Sequence, residues 1–317
     1  MATTMILNPQ AGSALNANES ICNAARRAGI RIETTHEDPD STQALIRQAV
    51  ISGSERIIAA GGDGTVSQVV RGLMHSVHPP ELAVLPLGTG NDWARSVGMP
   101  LDAGEAMQWL AGQPNAAART DVLELNSEQG LTWALNSING GIASQVRAEL
   151  DAEQKARWGA LSFAIAGLGI AVSQGLKPWQ LSFQLDDAPV ERVDSVVSLV
   201  VSNGRYVGGG FQLAPEADVE DGYFELVIVS GENPMRLFEV ALRAKLGTEL
   251  GDEQLRQQRG RKLQISAPED FAFTVDGEHY AARNVTIELR RAALPFVAGP
   301  HYMRQGSTTD ASSAPRN

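Results

Sequence analysis

The stretch that decides the fold is Arg56-Ile57-Ile58-Ala59-Ala60-Gly61-Gly62-Asp63-Gly64-Thr65, in which a short apolar strand runs directly into a glycine-rich turn. The apolar residues after it recur at the spacing of one helix face, at Val66, Val69, Val70, Leu73, Met74 and Val77. This pattern predicts a helix that begins at the turn, with Thr65 and Gln68 as a capping box, and that ends before His78-Pro79-Pro80.

The same strand, turn and helix unit recurs on both sides of this stretch. Further strands are predicted at Met5 to Leu7, Ile30 to Thr34 and Leu82 to Leu85, and further helices up to Gly29, over Thr42 to Ile51 and from Trp93 to Val97. Strands that alternate with helices predict a parallel, doubly wound α/β layer. Ligands of such sheets bind beyond the carboxyl ends of the strands, where this chain has the loops Asn8 to Gly12, Gly61 to Thr65 and Pro86 to Asp92.

From about Leu123 the pattern changes to strands with fewer helices between them. Strands are predicted at Thr132 to Ser137, Val196 to Ser202, Tyr223 to Ser230, Phe271 to Val275 and Val285 to Arg290. Helices are predicted at Asp151 to Gln174 and at Pro234 to Glu249. The first contains the apolar run Ala160 to Val172, interpreted as a buried helix, with a shallow membrane-contact element as the alternative. We therefore expect an α/β domain over residues 1–122, a largely antiparallel β domain over residues 123–291 and a disordered tail over residues 304–317.

Composition limits the partners and the compartment. The 317 residues carry 26 Lys and Arg against 37 Asp and Glu, a net charge of −11, and this acidity argues against nucleic acid as a partner. Cys22 is the only cysteine, so the sequence has no internal disulfide and no cysteine zinc site, which suits the cytoplasm. Met1 to Pro9 lacks the pattern of a signal peptide, and no apolar run reaches the ~20 residues of a membrane span.

The glycine loops predict a phosphate site of an unusual kind. A glycine turn at a helix N-terminus presents backbone N–H groups to an anion, although such a turn also occurs with no ligand. Gly61 to Ser67 lacks the lysine of a P-loop, and it is not a G-x-G-x-x-G fingerprint. Asp63 and Asp92 would repel phosphate unless a divalent cation lay between them; as plain turn or cap residues they would need no ion.

Six pieces of sequence occur together in one order along the chain. They are Asn8-Pro9 with Gly12, Gly61 to Thr65, Pro86 to Asp92, Gly208 to Phe211, Ala214 to Gly222, and Asp276-Gly277-Glu278. In this combination, from Asn8 to about Pro300, the chain resembles the diacylglycerol kinase catalytic family, and most of all its soluble bacterial lipid kinases, which are related to sphingosine and ceramide kinases. The resemblance implies an N-terminal α/β domain, a C-terminal β-sandwich-like domain and an active site in the cleft between them, with residues 292–303 returning to the first domain.

The resemblance also implies roles for single residues. ATP would be bound by Asn8, Thr35, Gly62, Asp63, Gly64, Thr65, Val66, Ser67, Gln68, Thr89 and Asn91. The catalytic Mg²⁺ would be organised by Asp63, Asp92 and Asp121.

Asp276 matches the general base of the family, which accepts the proton of the lipid hydroxyl as the γ-phosphoryl group arrives. Glu278 would orient the site or assist with the metal. From spacing alone, however, Asp276-Gly277 between two alternating runs is typical of a hairpin turn.

A second, structural cation, Mg²⁺ or Ca²⁺, is implied at Asp218, Asp221 and Tyr223, since hard oxygen ligands suit both ions. A plain acidic loop is the alternative interpretation of these residues.

A basic contact face is a further hypothesis, and a solvated charged face is its alternative. The residues concerned are Arg147, Lys155, Arg157, Lys177 and Arg205, with Trp158 and Trp179.

The sequence thus predicts an ATP- and Mg²⁺-dependent kinase that phosphorylates the hydroxyl of diacylglycerol or a related lipid. The expected partners are the lipid, a membrane surface contacted peripherally and transiently, and a second copy of the chain. An NAD kinase is the nearest rival because it shares the Gly61 to Thr65 motif, but Pro86 to Asp92 is the lipid-kinase form of the second loop. Two further hypotheses stay open: a sphingosine or ceramide type of kinase, and a catalytically silent regulator that binds nucleotide or lipid.

Overall fold

The structure, a computed structural model, describes residues 1–11, 14–35, 38–112, 118–141, 178–231, 240, 243 and 255–303, with the backbone alone for 14–18 and 39. Several sequence predictions lie outside these residues: the helix over 151–174 with its apolar run 160–172, nearly all of the helix over 234–249, and the tail 304–317. Gly12 and most of the hypothetical basic face also lie outside them, namely Arg147, Lys155, Arg157, Trp158 and Lys177.

The first half of the chain forms a parallel sheet flanked by helices. Strands β1 (Thr3–Leu7), β2 (Arg31–Thr34), β3 (Arg56–Gly61) and β4 (Glu81–Pro86) pair in the order β2-β1-β3-β4. The helices are α1 (Ala14–Arg27), α2 (Pro39–Ile51), α3 (Asp63–Leu73), α4 (Asp92–Ser96) and α5 (Ala103–Gly112). Helix α1 packs on α5 and α2 packs on α3, which confirms the predicted doubly wound α/β layer.

Helix α3 begins and ends earlier than its sequence pattern predicts. Its N-cap is Gly62, which makes no side-chain cap hydrogen bond, so Thr65 lies inside the first turn and the predicted capping box is wrong. Gly62 instead uses its backbone carbonyl, which accepts hydrogen bonds from the N–H groups of Thr65 (2.9 Å) and Val66 (3.1 Å). The helix ends at Leu73, and Val77 is 89% exposed, because the apolar spacing continues by coincidence into the following turn.

The second half is built from antiparallel strands. They are β5 (Ala118–Ser127), β6 (Gly130–Ala134), β7 (Ser137–Gly141), β8 (Trp179–Leu185), β9 (Glu191–Ser202), β10 (Phe224–Ser230), β11 (Leu255–Gly260), β12 (Lys262–Val275) and β13 (Glu278–Phe296). Two apolar clusters form here, a larger one around Phe273 and Phe224 and a smaller one around Val200 and Phe211. The predicted class, an α/β domain followed by a β-sandwich-like domain, is confirmed.

One predicted strand is in fact two. The pattern from Thr132 to Ser137 breaks into β6 and β7 because the N–H groups of Leu135, Asn136 and Ser137 turn toward the carboxylate of Asp276 instead of toward a neighbouring strand. Strands β8 and β11 and helix α5 have too weak a sequence pattern to predict; β11, for example, reads Leu-Arg-Gln-Gln-Arg-Gly.

Strand β13 joins the two halves. It pairs with β12 from Glu278 to Glu288 and with β5 from Val285 to Phe296, and it then reaches the parallel sheet, where Phe296 pairs with Leu82. Within the described residues all strands therefore belong to one 13-stranded sheet. None of the helices described is long and apolar enough to cross a membrane.

The segment that follows β13 packs against the turn after α4. Gly98 has a φ of 63°, its carbonyl accepts a hydrogen bond from the N–H of His301 (3.1 Å), and a Cβ on it would overlap the backbone of His301 and Tyr302. Tyr302 packs edge-on against Phe296, which in turn packs edge-on against Trp93. Only glycine fits at position 98.

We therefore expect Gly98→Ala to destabilise the protein by about 2 kcal/mol more than Gly53→Ala does. Gly53 is the matched control because it also has a positive φ, 79°, but a methyl group added to it would meet no described atom within 4 Å. Its substitution therefore reports only the left-handed backbone, which costs about 1 kcal/mol. Urea unfolding of both variants measures the difference, and equal losses would show that the contact with residues 301 and 302 contributes nothing.

Candidate active site

The two glycine loops that follow β3 and β4 meet at the carboxyl edge of the parallel sheet, as the sequence pattern predicts. Leu87 N–H donates to the carbonyl of Gly61 (2.9 Å), and Gly88 lies against Gly62 so closely that a Cβ on Gly88 would be 2.5 Å from the Cα of Gly62. The loop after β4 is held by Asn91, whose φ is 52° and whose side chain accepts from Gly88 N–H (3.0 Å) and donates to its carbonyl (2.8 Å). The amide of Asn91 thus shapes the loop.

The other predicted nucleotide residues surround this pair of loops. Asn8 Nδ2 donates to Thr65 Oγ1 (3.2 Å), and Thr35 is buried at the end of β2, where its N–H donates to Leu7 (2.8 Å). The side chains of Val66 and Ser67 are buried, and the carbonyl of Gln68 accepts from Gln43 (2.8 Å). Of the predicted nucleotide residues, Gly64 in the first loop and Thr89 in the second are exposed. Binding of ATP by this set stays a prediction.

Asp63 and Asp92 lie together between the loops. Asp63 Oδ1 accepts a hydrogen bond from Trp93 N–H (3.3 Å) at the start of α4. Burial raises the pKa of Asp63 to about 7, and the negative charge of Asp92 and, less strongly, that of Asp276 add to the shift. Asp63 therefore lies in a region of negative charge, made by its own carboxylate and by those of Asp92 and Asp276.

Asp92 reaches across to the second half of the chain. Its carboxylate accepts hydrogen bonds from Gly209 N–H (2.9 Å to Oδ2) and Gly210 N–H (2.6 Å to Oδ1). Both glycines have left-handed φ values, 95° and 94°, which aim their consecutive N–H groups at one anion. The side chain of Asp92 is buried by this contact.

Asp121 does not join Asp63 and Asp92. It is fully buried in β5, where Oδ1 accepts from Ala292 N–H (2.6 Å) and Oδ2 accepts from Gly222 N–H (2.7 Å). Burial raises its pKa against the effect of these two N–H groups, and Asp221 is the nearby acid that adds to the shift. Across the described ranges, no three His, Cys, Asp or Glu side chains are grouped as metal ligands. The predicted role of Asp121 at the catalytic Mg²⁺ stays a prediction with no geometric support.

Asp276 occupies the tight turn between β12 and β13. Its φ is 46° and that of Gly277 is 93°, so the hairpin turn indicated by the sequence is confirmed. Its carboxylate accepts three backbone N–H groups, from Leu135 to Oδ2 (2.7 Å) and from Asn136 (3.0 Å) and Ser137 (2.9 Å) to Oδ1. Burial raises its pKa; the three N–H groups and the charge of Arg71 oppose that shift. Asp276 is therefore a hairpin-turn residue and the candidate base at the same time.

Glu278, two residues further on, forms an ion pair with Arg71 of helix α3. Sequence reasoning missed Arg71, although its spacing of four residues from Ser67 and eight from Asp63 places all three on one helix face. It also missed the N–H donors of residues 135–137, because a backbone group leaves no trace in the sequence.

The residues of the predicted structural cation site lie in the loop before β10. Asp218 accepts from Glu220 N–H (3.0 Å), and Asp221 accepts from Tyr223 N–H (2.9 Å). Asp221 also pairs with Arg259, whose guanidinium lies 4.8 Å from the centre of the Tyr223 ring. This guanidinium also pairs with Glu225 (2.8 Å), so it offsets only part of the negative charge in this region. A cation at these residues stays a prediction.

Comparison with known proteins gives two family matches. The Diacylglycerol kinase catalytic domain family matches residues 2–122, and the YegS C-terminal NAD kinase beta sandwich-like domain family matches residues 136–298. The crystal structure of a diacylglycerol kinase from Bacillus anthracis strain Sterne superposes with a TM-score of 0.73 over 95% of this chain and 98% of that one; at 20% identity the likeness shows the fold alone.

Curated relatives share the same architecture over most of their length. A protein of Stenotrophomonas maltophilia strain K279a, named "Probable lipid kinase YegS-like", is 33% identical over 273 residues, which cover 83% of this chain and 85% of the relative. A protein of the same name from Xanthomonas campestris pv. campestris strain 8004 is 31% identical over 303 residues, 92% of this chain and 94% of the relative. With both halves matched in order, the chain belongs to the diacylglycerol kinase catalytic family and, within it, to the YegS-like lipid kinases.

Proposed function

We propose that the protein transfers the γ-phosphoryl group of ATP to the hydroxyl of diacylglycerol or a related lipid. One observation carries this proposal: the hairpin with Asp276 lies against the helix that starts at the glycine turn, so that Arg71 of that helix contacts Glu278. The charge of Asp276 also acts on Asp63 in the glycine turn, so a candidate base from one domain lies near a candidate phosphate site from the other. Phosphoryl transfer needs this juxtaposition, because the acceptor hydroxyl and the γ-phosphoryl group must be in line.

The nucleotide side relies on the main chain. Helix α3 begins directly at the turn, and its first N–H groups and helix dipole favour a phosphate there. A Cβ on Gly64 would have no atom of the described residues within 4 Å, which leaves this side of the turn open to a ligand. Asn8, Asn91 and Thr65 would then serve chiefly to keep the loops in shape, through the hydrogen bonds described above.

Asp63 and Asp92 fit a magnesium ion. They are neighbouring hard oxygen donors. Burial is the main cause of the raised pKa of Asp63, and the negative charge of Asp92, which a cation would offset, adds to it. Mg²⁺ is commonly held by one or two carboxylates together with substrate phosphates, so a third carboxylate such as Asp121 is not needed. When bound, the ion would neutralise charge on the transferring phosphoryl group.

Asp276 would accept the proton of the lipid hydroxyl. Oδ2 takes a single backbone N–H, from Leu135, and so keeps a lone pair for the substrate. Burial raises the pKa of this carboxyl, which makes the ionised form a stronger base than a surface aspartate. The three N–H groups fix the orientation of this carboxylate.

The proposal is tested by incubating the protein with γ-labelled ATP, Mg²⁺ and a panel of lipids in mixed micelles. Diacylglycerol, monoacylglycerol, sphingosine, ceramide and phosphatidylglycerol would be supplied singly, NAD in a parallel reaction, and labelled products separated by chromatography. We expect label on one of the lipids. Label on NAD alone, or ATP binding without any transfer, would overturn the proposal in favour of an NAD kinase or a silent regulator.

Removal of the divalent ion gives an independent prediction. We expect chelation to abolish transfer and added Mg²⁺ to restore it, with little change in the unfolding midpoint, because Arg259 offsets part of the negative charge of Asp221 in the loop before β10. Activity assays and thermal unfolding with and without chelator measure both quantities. A large fall in the midpoint on chelation would instead indicate a structural ion.

A further inference from the structure

An ion pair crosses between the two halves of the candidate active site. Arg71, on α3, donates through Nη1 to Oε2 of Glu278 at the start of β13, a residue 207 positions away in the sequence. Through Nη2 it donates to Oγ of Ser67, one turn earlier on its own helix (2.8 Å). One planar guanidinium thus connects the glycine-turn helix with the hairpin that presents Asp276.

The surroundings of this guanidinium are acidic. The charges of Glu278 and Asp276 both act on Arg71, and Arg71 in turn opposes the rise in the pKa of Asp276 that burial causes. The Arg71 side chain is 17% exposed and that of Glu278 42%. The Nε of Arg71 is buried and has no hydrogen-bond partner in the part of the chain that the structure describes, so the side chain is oriented by its two terminal nitrogens.

We propose that Arg71 is a positioning residue for phosphoryl transfer, which fixes the Asp276–Glu278 hairpin against helix α3 and so sets the distance from base to nucleotide. The proposal rests on the proposed function. Helix α3 is a firm reference because most of its residues are buried, including Val66, Val69 and Leu73. The hairpin is attached to it by a guanidinium, whose rigid fork of donors holds two partners at once.

A loss of this contact should affect turnover more than binding. Displacement of a reacting group by about 1 Å costs up to about 100-fold in rate. Arg71 bonds to Ser67 but, among the residues described, makes no hydrogen bond to the glycine turn Gly61 to Thr65 that would hold the phosphates. We expect Arg71→Gln to lower kcat by about 10- to 50-fold and to change the KM for ATP by less than about threefold. Arg71→Lys, which keeps a single charged donor, should recover part of the loss.

The matched control is Arg256→Gln. Arg256 also pairs with a glutamate, Glu191 (2.9 Å), but on the edge strand β11 and outside the candidate site. This variant should keep the wild-type kcat. Amide hydrogen exchange at residues 135–137, whose N–H groups are bonded to Asp276, gives a second measurement that needs no activity. Exchange there should accelerate in Arg71→Gln and stay unchanged in Arg256→Gln.

The outcomes separate the two proposals. Wild-type protein that labels no lipid would overturn the proposed function, while the exchange experiment would still decide whether Arg71 holds the hairpin. An active wild type together with an Arg71→Gln variant of unchanged kcat and unchanged exchange would overturn the positioning role. A variant whose KM for ATP rises as much as its kcat falls, with no recovery in Arg71→Lys, would also overturn it and assign Arg71 to nucleotide binding.

Discussion

Asp276→Asn is expected to lower the rate of lipid phosphorylation at least about 10³-fold while ATP affinity stays within about threefold of the wild type. The amide cannot accept the hydroxyl proton. It also places an NH₂ group where Oδ2 now accepts the N–H of Leu135 (2.7 Å), and two facing donors cost about 1–3 kcal/mol. Steady-state kinetics, nucleotide titration and a thermal unfolding curve on the same preparation measure the three quantities.

Asp186→Asn is the control for the effect on the fold. Asp186 likewise sits in a hairpin turn with a positive φ, 50°, and its Oδ1 accepts backbone N–H groups from Arg261 (2.9 Å) and Lys262 (2.8 Å). It lies at the turn between β8 and β9, outside the candidate site, so its variant should lose stability but no activity. An Asp276→Asn variant as active as Asp186→Asn would remove Asp276 from the chemistry.

Gly88→Ala is expected to reduce ATP affinity by more than about 100-fold. The new methyl group would lie 2.5 Å from the Cα of Gly62 and 3.0 Å from Oδ1 of Asn91. Because the first obstacle is backbone, the two glycine loops must move apart, and the N–H groups that would face the phosphates move with them.

Titration with a fluorescent ATP analogue measures this loss, and Gly112→Ala is the control. Gly112 ends helix α5, and a Cβ there would meet nothing within 4 Å among the residues described, so its substitution should leave affinity unchanged. Wild-type affinity in Gly88→Ala would mean that the nucleotide does not bind at these loops.

The sequence predicted the first half of the fold well because its signals are local. Strands β1, β3 and β4 are short and apolar, and each is followed by a turn rich in glycine, proline or asparagine before a helix begins. The start of α3 was one exception: Thr65 and Gln68 have the right spacing for a capping box, but Gly62 already begins the helix. A helix start at Gly62 and one at Thr65 are both compatible with the sequence, and the packing of Gly62 against the second loop accompanies the earlier start.

The candidate site was predicted in its residue types more than in its arrangement. The carboxylates of Asp63, Asp92 and Asp276 could be identified from motifs, but the groups that organise them could not. The N–H groups of residues 135–137 are backbone donors that any sequence supplies. Gly209 and Gly210 belong to a motif, but their contact with Asp92 is seen only in the structure. Arg71 is a single residue on a helix, and only the tertiary structure shows that Glu278 lies opposite it.

The strand β13 has a consequence for how the protein is assembled. Its first residue follows the turn of Asp276, and its last residue completes the edge of the parallel sheet beside β4. A fragment that ended at residue 122 would therefore leave strand edges without their neighbour, and exposed edges recruit other chains. The N-terminal half is thus not an autonomous module that synthesis completes first, because its final strand emerges from the ribosome only after most of the second half has been made.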